Sequence, residues 1–159
     1  MQAAPVMWKT ILVPYEFSAG AEHAAQIAAD EARAHGARVV LLHVVEMMPQ
    51  FGRDSTMMVP PGTTTPVSVR RHYMETAEAQ LRAVAAKLAA DGVDVSVQVR
   101  AGVPVEEISA FVREHPVDVV IMGTHGRTGL RHALVGSVAE RMVRVSTVPV
   151  MTIRHPEPA

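Results

Sequence analysis

Short apolar runs alternate along the chain with longer stretches that carry the 3.6-residue period of amphipathic helices. Residues 9–14 (KTILVP) read as a buried first strand, with Tyr15, Glu16, Phe17 and Ser18 as its exit. Ser18 is a good N-cap for an Ala-rich helix in which Ala21, Ala24, Ala25, Ala28 and Ala32 share one face, and Gly36 closes it. Such small residues let a helix pack closely on a sheet. Residues 39–45 (VVLLHVV) are apolar almost throughout, as expected of a second strand covered on both faces. From 46 to 65 the period disappears, and this stretch, rich in Met, Pro, Gly and Thr, is expected to be a flexible insertion. Its methionines, Met47, Met48, Met57 and Met58, offer an adaptable contact surface. Thr65 and Pro66 then read as N-cap and first position of a long helix with Tyr73, Ala77, Leu81, Val84 and Leu88 as its buried stripe, ending near Gly92. Strict alternation over 93–100 (VDVSVQVR) marks a third strand with one wet face. Pro104 starts a helix with Glu106 and Glu107 in its first turn and Val105, Ile108 and Val112 facing inward. A fourth strand over 117–122 (VDVVIM) ends at Gly123, a helix runs from about 137 to 145, and 148–153 (VPVMTI) is the last strand.

Strands separated by helices of this length are parallel and joined by right-handed crossovers. Pro149 cannot donate to a ladder, so the fifth strand belongs at an edge. The alternating third strand suits the other edge, and the all-apolar runs belong in the middle. The resulting expectation is one α/β domain over 1–159, a Rossmann-like open parallel five-stranded sheet of order 3-2-1-4-5 with helices on both faces. An order of 2-1-3-4-5 would put VVLLHVV at an edge, which its composition does not suit. In the favoured order the chain reverses direction between strands one and four, and ligands of open α/β sheets bind beyond the carboxyl ends of the strands at that point.

Composition narrows the function classes. At 159 residues one domain can bury its own core without metal or disulfide support. Net charge is −1 with 19% charged residues, which argues against a general nucleic-acid binder or a polybasic membrane surface. Zero cysteines remove disulfides, thiolate metal sites and a cysteine nucleophile, and suit a reducing compartment. With no apolar run of signal-peptide or membrane-spanning length, the chain reads as cytoplasmic.

The candidate chemistry lies after the fourth strand. Gly123, Gly126 and Gly136 punctuate a basic loop containing His125, Arg127, Arg131 and His132, and a helix begins after it. Glycine lets the backbone approach a ligand closely, and the first turn of a helix presents unpaired amides and the positive end of its dipole to an anion. A phosphate is the natural guest. Against this, Ser137 and Glu140 fit a capping box that needs no ligand, so on spacing alone both readings stand. The loop is neither a Walker A sequence nor a dinucleotide fingerprint. His43, inside an apolar strand, reads as a satisfied core or near-site histidine, and the other histidines show no metal-ligand spacing.

Over essentially its whole length the chain resembles the universal stress protein family. Gly123, Gly126, Gly136 and Ser137 match its Gly-x-x-Gly-x9-Gly-Ser/Thr nucleotide motif; residues 11–14 (ILVP), 42–44 (LHV) and 148–150 (VPV) match its strands. The resemblance implies a homodimer, with ATP held between the loops after strands one and four; the apolar edge of the last strand (148–153) is where the two subunits are expected to meet. It implies a stress-response or signalling module with an unidentified protein partner, more often than an efficient enzyme. Pro14 and Val44 would flank adenine, Gly123 would lie against ribose, and Gly126, Gly136, Ser137 and the Val138 amide would surround the phosphates. Glu16 stands where the family usually has Asp, so the acceptor is kept but displaced by one methylene. Tyr15, Met122, His125 and Arg127 complete the candidate nucleotide-binding set; no catalytic residue or metal ligand is assigned, and Mg²⁺ would come only with the triphosphate.

Three functions follow from this. A nucleotide-dependent switch leads. A slow ATPase or phosphotransferase is the alternative; it needs a positioned base, for which Glu16 and His125 are the candidates near the site. A dimerisation scaffold with an unused site is the third, and it would leave the glycine spacing unexplained.

Overall fold

A computed structural model of the chain describes residues 7–47, 56–124 and 136–155. In chain order the elements are β1 (Thr10–Pro14), α1 (Ala19–His35), β2 (Arg38–Glu46), β3 (Met57–Met58), β4 (Val67–Ser68), α2 (Val69–Ala89), β5 (Asp94–Gly102), α3 (Pro104–Glu114), β6 (Val119–Gly123), α4 (Ser137–Val145) and β7 (Val150–Ile153). Five strands form one sheet in the order β5-β2-β1-β6-β7, every pairing parallel. This is the 3-2-1-4-5 order expected from the sequence, with β3 and β4 outside the count.

The period of two along each central strand divides the core. Ile11, Val13, Val39, Leu41, Val119 and Ile121 face α1 and α2, whereas Leu12, Val40, Leu42, Val120 and Met122 face α3 and α4. Because both faces are covered, the middles of these strands are buried without polar alternation, and β2 is exposed only at its ends, Arg38 and Glu46. Each fully buried Leu or Ile contributes roughly 1.5–3 kcal/mol. The alanine face of α1 is buried as expected, and Gly36 caps it in the left-handed conformation at φ 66, where a Cβ would be strained. At the amino end of the sheet, Asp118 Oδ2 accepts from both the Lys9 and Thr10 amides at 2.8 Å, which secures β1 beside β6.

The structure corrects several expectations. The long helix starts at Val69, not at Pro66: Val67 and Ser68 pair antiparallel with Met58 and Met57, and Ser68 Oγ then accepts from the Arg71 amide as the true N-cap. The aperiodic 46–65 stretch therefore contributes a short strand, while its residues 48–55 lie outside the described residues. Tyr73 is not part of the buried stripe but half exposed at 52%; the stripe is Ala77, Leu81, Ala85 and Leu88. The capping box at Ser137 does not form. Gly136 is the N-cap of α4 and has no side chain to cap with, so Ser137 is the first helical residue, and Glu140 pairs instead with Arg144 at 2.7 Å.

Candidate functional site

Because all five strands are parallel, the loops after β1 and β6 leave the same edge of the sheet, where the chain turns from β1 to β2 on one side and to β6 on the other. Pro14 ends β1 and is buried. Tyr15 continues the ladder, its amide donating to the Leu42 carbonyl at 2.8 Å. Its own carbonyl accepts from His43 Nδ1 at 2.7 Å. Burial, then the nearby Glu22 and Glu16 carboxylates, push the Tyr15 phenol above its ordinary range, so it stays neutral. Phe17 has a left-handed backbone at φ 61. Its ring lies edge-on to Tyr15 at 5.3 Å and tilted over His43 at 4.8 Å. Ser18 closes the loop as the N-cap of α1, accepting from the Ala21 amide at 3.0 Å and donating to Glu16 Oε1. Glu16 is thus held beside the N-terminus of α1, where a carboxylate is favoured by the dipole.

The second wall comes from β6 and α4. Gly123 is a glycine for a reason internal to the fold: a Cβ there would sit 2.8 Å from the Gly20 carbonyl carbon and 2.9 Å from its oxygen. Next, the Thr124 amide donates to Ile153 O at 3.0 Å, and the Thr124 carbonyl accepts from the Gly136 amide. Thr124 and Gly136 are thereby tied together. Gly136 has φ −67 and ψ 155, a conformation open to any residue, and starts α4 without a side-chain cap. Ser137 is exposed, Val138 half buried, and Ala139 packs into the core. First-turn amides without a side-chain cap suit an anion.

The other expected positions fall variously. Val44 is half buried on β2, two residues beyond the Pro14–Leu42 pairing. Met122 is 5% exposed and packs in the core against α3 and α4. His125, Gly126 and Arg127, with Arg131 and His132, lie outside the described residues. Sequence reasoning missed Gly20, Thr124 and the left-handed Phe17. Gly20 carried a readable signal, a glycine in the first turn of an alanine helix; the other two carried none. Among the described residues no group of three or more His, Asp or Glu side chains is placed to hold a metal ion. No helix among them is long and apolar enough to cross a membrane. A groove of about 610 Å³ between α2 and β5 mixes Arg70, Arg71 and Arg82 with Glu75 and Glu78, and Arg82 is already paired with Glu78 at 2.6 Å.

Residues 7–154 match the model of the universal stress protein family. The chain belongs to that family. Universal stress protein MJ0577 of Methanocaldococcus jannaschii is 31% identical over 157 residues, spanning 94% of this chain and 97% of that protein. Its solved structure superposes with a TM-score of 0.78 at 28% identity, covering 96% of this chain and 100% of that one. A universal stress protein solved in complex with cAMP has a TM-score of 0.70 at 19% identity, with 96% and 100% coverage. Another, from Archaeoglobus fulgidus and in complex with dAMP, scores 0.63 at 20% identity, with 93% and 99% coverage. At those last two identities the likeness is one of fold. The universal stress protein frame therefore extends from Met7 to Arg154 and includes every element described above.

Proposed function

We propose that this universal stress protein binds ATP between the β1–α1 loop and the N-terminus of α4, and acts as a nucleotide-dependent switch in a homodimer. The observation that carries the reading is that the chain leaves β1 and β6 at the same edge of the sheet, with α4 opening on Gly136 and lacking a side-chain cap. Relatives of the same fold held in complex with cAMP and dAMP support an adenine nucleotide as the ligand class. In this reading Pro14 and Val44 border the base, Glu16 reaches the ribose, and Gly136, Ser137 and the Val138 amide meet the phosphates, with Gly126, His125 and Arg127 completing that end. Mg²⁺ would enter with the triphosphate, since no carboxylate cluster among the described residues requires it. Ser18 donates to Glu16 and fixes that carboxylate in the loop, and we assign no catalytic base. Turnover should accordingly fall far below the typical enzyme rate of roughly 10 per second.

Calorimetry on protein stripped of nucleotide tests the reading directly. Saturable ATP binding with negligible multiple-turnover hydrolysis supports it. Absence of binding transfers the function to the scaffold reading, and turnover at the typical enzyme rate transfers it to the enzyme reading.

A further inference from the structure

The roles just given leave out His43, yet it holds the loop that would carry base and ribose. His43 is 7% exposed on β2, and its Nδ1 lies 2.7 Å from the Tyr15 carbonyl oxygen. A carbonyl oxygen only accepts, so Nδ1 carries the proton. Since the Tyr15 amide donates to Leu42, both backbone groups of Tyr15 are held by consecutive residues of β2. Two residues on, Phe17 holds φ 61, a region that a bulky side chain keeps only where its surroundings over-determine it. What holds it is visible: its ring packs at 4.8 Å from the imidazole of His43 and 5.3 Å from Tyr15, and Ser18 is fixed to the Ala21 amide. Glu16 is therefore bracketed between a residue tied to β2 and a residue tied to α1.

We propose that His43 is a positioning residue for the nucleotide: by donating to Tyr15 and supporting Phe17, it fixes the β1–α1 loop so that Pro14 and Glu16 present the base and ribose subsites. The inference rests on the nucleotide-binding reading and adds to it a division of labour. The phosphate end is anchored elsewhere, through Gly136 to Thr124 and Thr124 to Ile153. A defect at His43 should thus be felt by the nucleoside half of ATP and not by its phosphates.

The test uses the full chain stripped of nucleotide and two probes, ATP and inorganic tripolyphosphate, measured by calorimetry up to saturation. His43→Leu should weaken ATP about tenfold, the scale of one lost buried hydrogen bond, and leave tripolyphosphate unchanged. His43→Asn, which keeps a donor near the Nδ1 position, should recover most of the loss. Phe17→Leu should show the same selective loss, and with His43→Asn it carries the comparison if His43→Leu does not fold. Long-range proton–nitrogen NMR at mildly alkaline pH should show the Nδ1-protonated tautomer at His43. Wild-type ATP binding together with an unaltered His43→Leu, equal weakening of both probes, or the Nε2-protonated tautomer would each overturn this proposal alone. Failure of the wild type to bind ATP would overturn the nucleotide reading and this proposal with it.

Discussion

Two glycines of one motif have different physical justifications. Gly123 has no room for a Cβ, because the Gly20 backbone lies 2.8 Å from where it would be. Backbone cannot give way as a side chain does, so Gly123→Ala should destabilise the protein by about 1–3 kcal/mol, the usual cost of overpacking. Differential scanning calorimetry of the apo protein would show it as a fall of roughly 2–4 °C per kcal/mol. Gly136, at φ −67 and ψ 155, has a backbone conformation open to any residue. Gly136→Val should cost the apo protein at most about 1 kcal/mol, through a poorer N-cap. It should nevertheless abolish ATP binding, because a branched side chain would stand where the proposed phosphate site meets backbone. A large apo destabilisation by Gly136→Val would return this glycine to a structural role. The motif spacing marked both positions but could not separate them, since what fills the space beside Gly123 is a helix more than a hundred residues away in sequence. Phe17 was illegible for a related reason: nothing in a phenylalanine announces a left-handed backbone, which here depends on the rings of Tyr15 and His43.

At the level of elements, local signals located the helices well wherever the cap and the apolar face agreed. Ser18, the alanine face and Gly36 delimit α1, and Pro104 with Glu106 and Glu107 opens α3. The α2 start was misplaced because Thr65-Pro66 and Ser68 are both acceptable starts, and the choice between them is made by pairing with Met57 and Met58, a contact the local pattern does not contain. Tyr73 continued the helical period beyond the part of α2 that is buried, and periodicity cannot tell where the covering sheet ends. The two serines at the site edge now give opposite expectations. Ser18→Ala removes a real N-cap and the donor to Glu16, so it should cost roughly 0.5–2 kcal/mol in apo stability. Ser137→Ala removes no cap, since Ser137 is already helical, and should change apo stability by within about 0.5 kcal/mol while weakening ATP. Apo melting of the two variants side by side checks the assignment; equal losses would restore the capping-box account of Ser137.

Across the whole molecule, the proposed dimer and the proposed ligand meet at α4. β7 is an edge strand whose Val150 packs toward the α3–α4 core and whose Met151 and Ile153 pack toward the α1–α2 core, so charge at Val150 or Met151 would damage the fold along with any interface. Val143 and Val145 are the cleaner probes, exposed at 56% and 52% on α4, the helix that also contacts β7. A second copy paired along β7 would cover an edge that otherwise invites uncontrolled association. Val143→Lys with Val145→Lys should therefore shift light scattering toward monomer at micromolar concentration without lowering the helical signal; an unchanged dimer would place the interface elsewhere. The same helix begins at the proposed phosphate end, which makes the thermal response to ATP the broadest test. If ATP binds only the native state, a concentration about a hundredfold above its dissociation constant adds roughly 2.7 kcal/mol. For a chain of this length that raises the melting temperature by about 5–11 °C. Gly136→Val should lose that rise, while Val143→Lys with Val145→Lys should keep most of it if occupancy and assembly are separable. A switch that works through the dimer demands instead that the lysine variant bind ATP with altered affinity, since coupling between two equilibria is reciprocal. Equal ATP affinity in dimer and monomer would leave nucleotide binding intact and remove the switch.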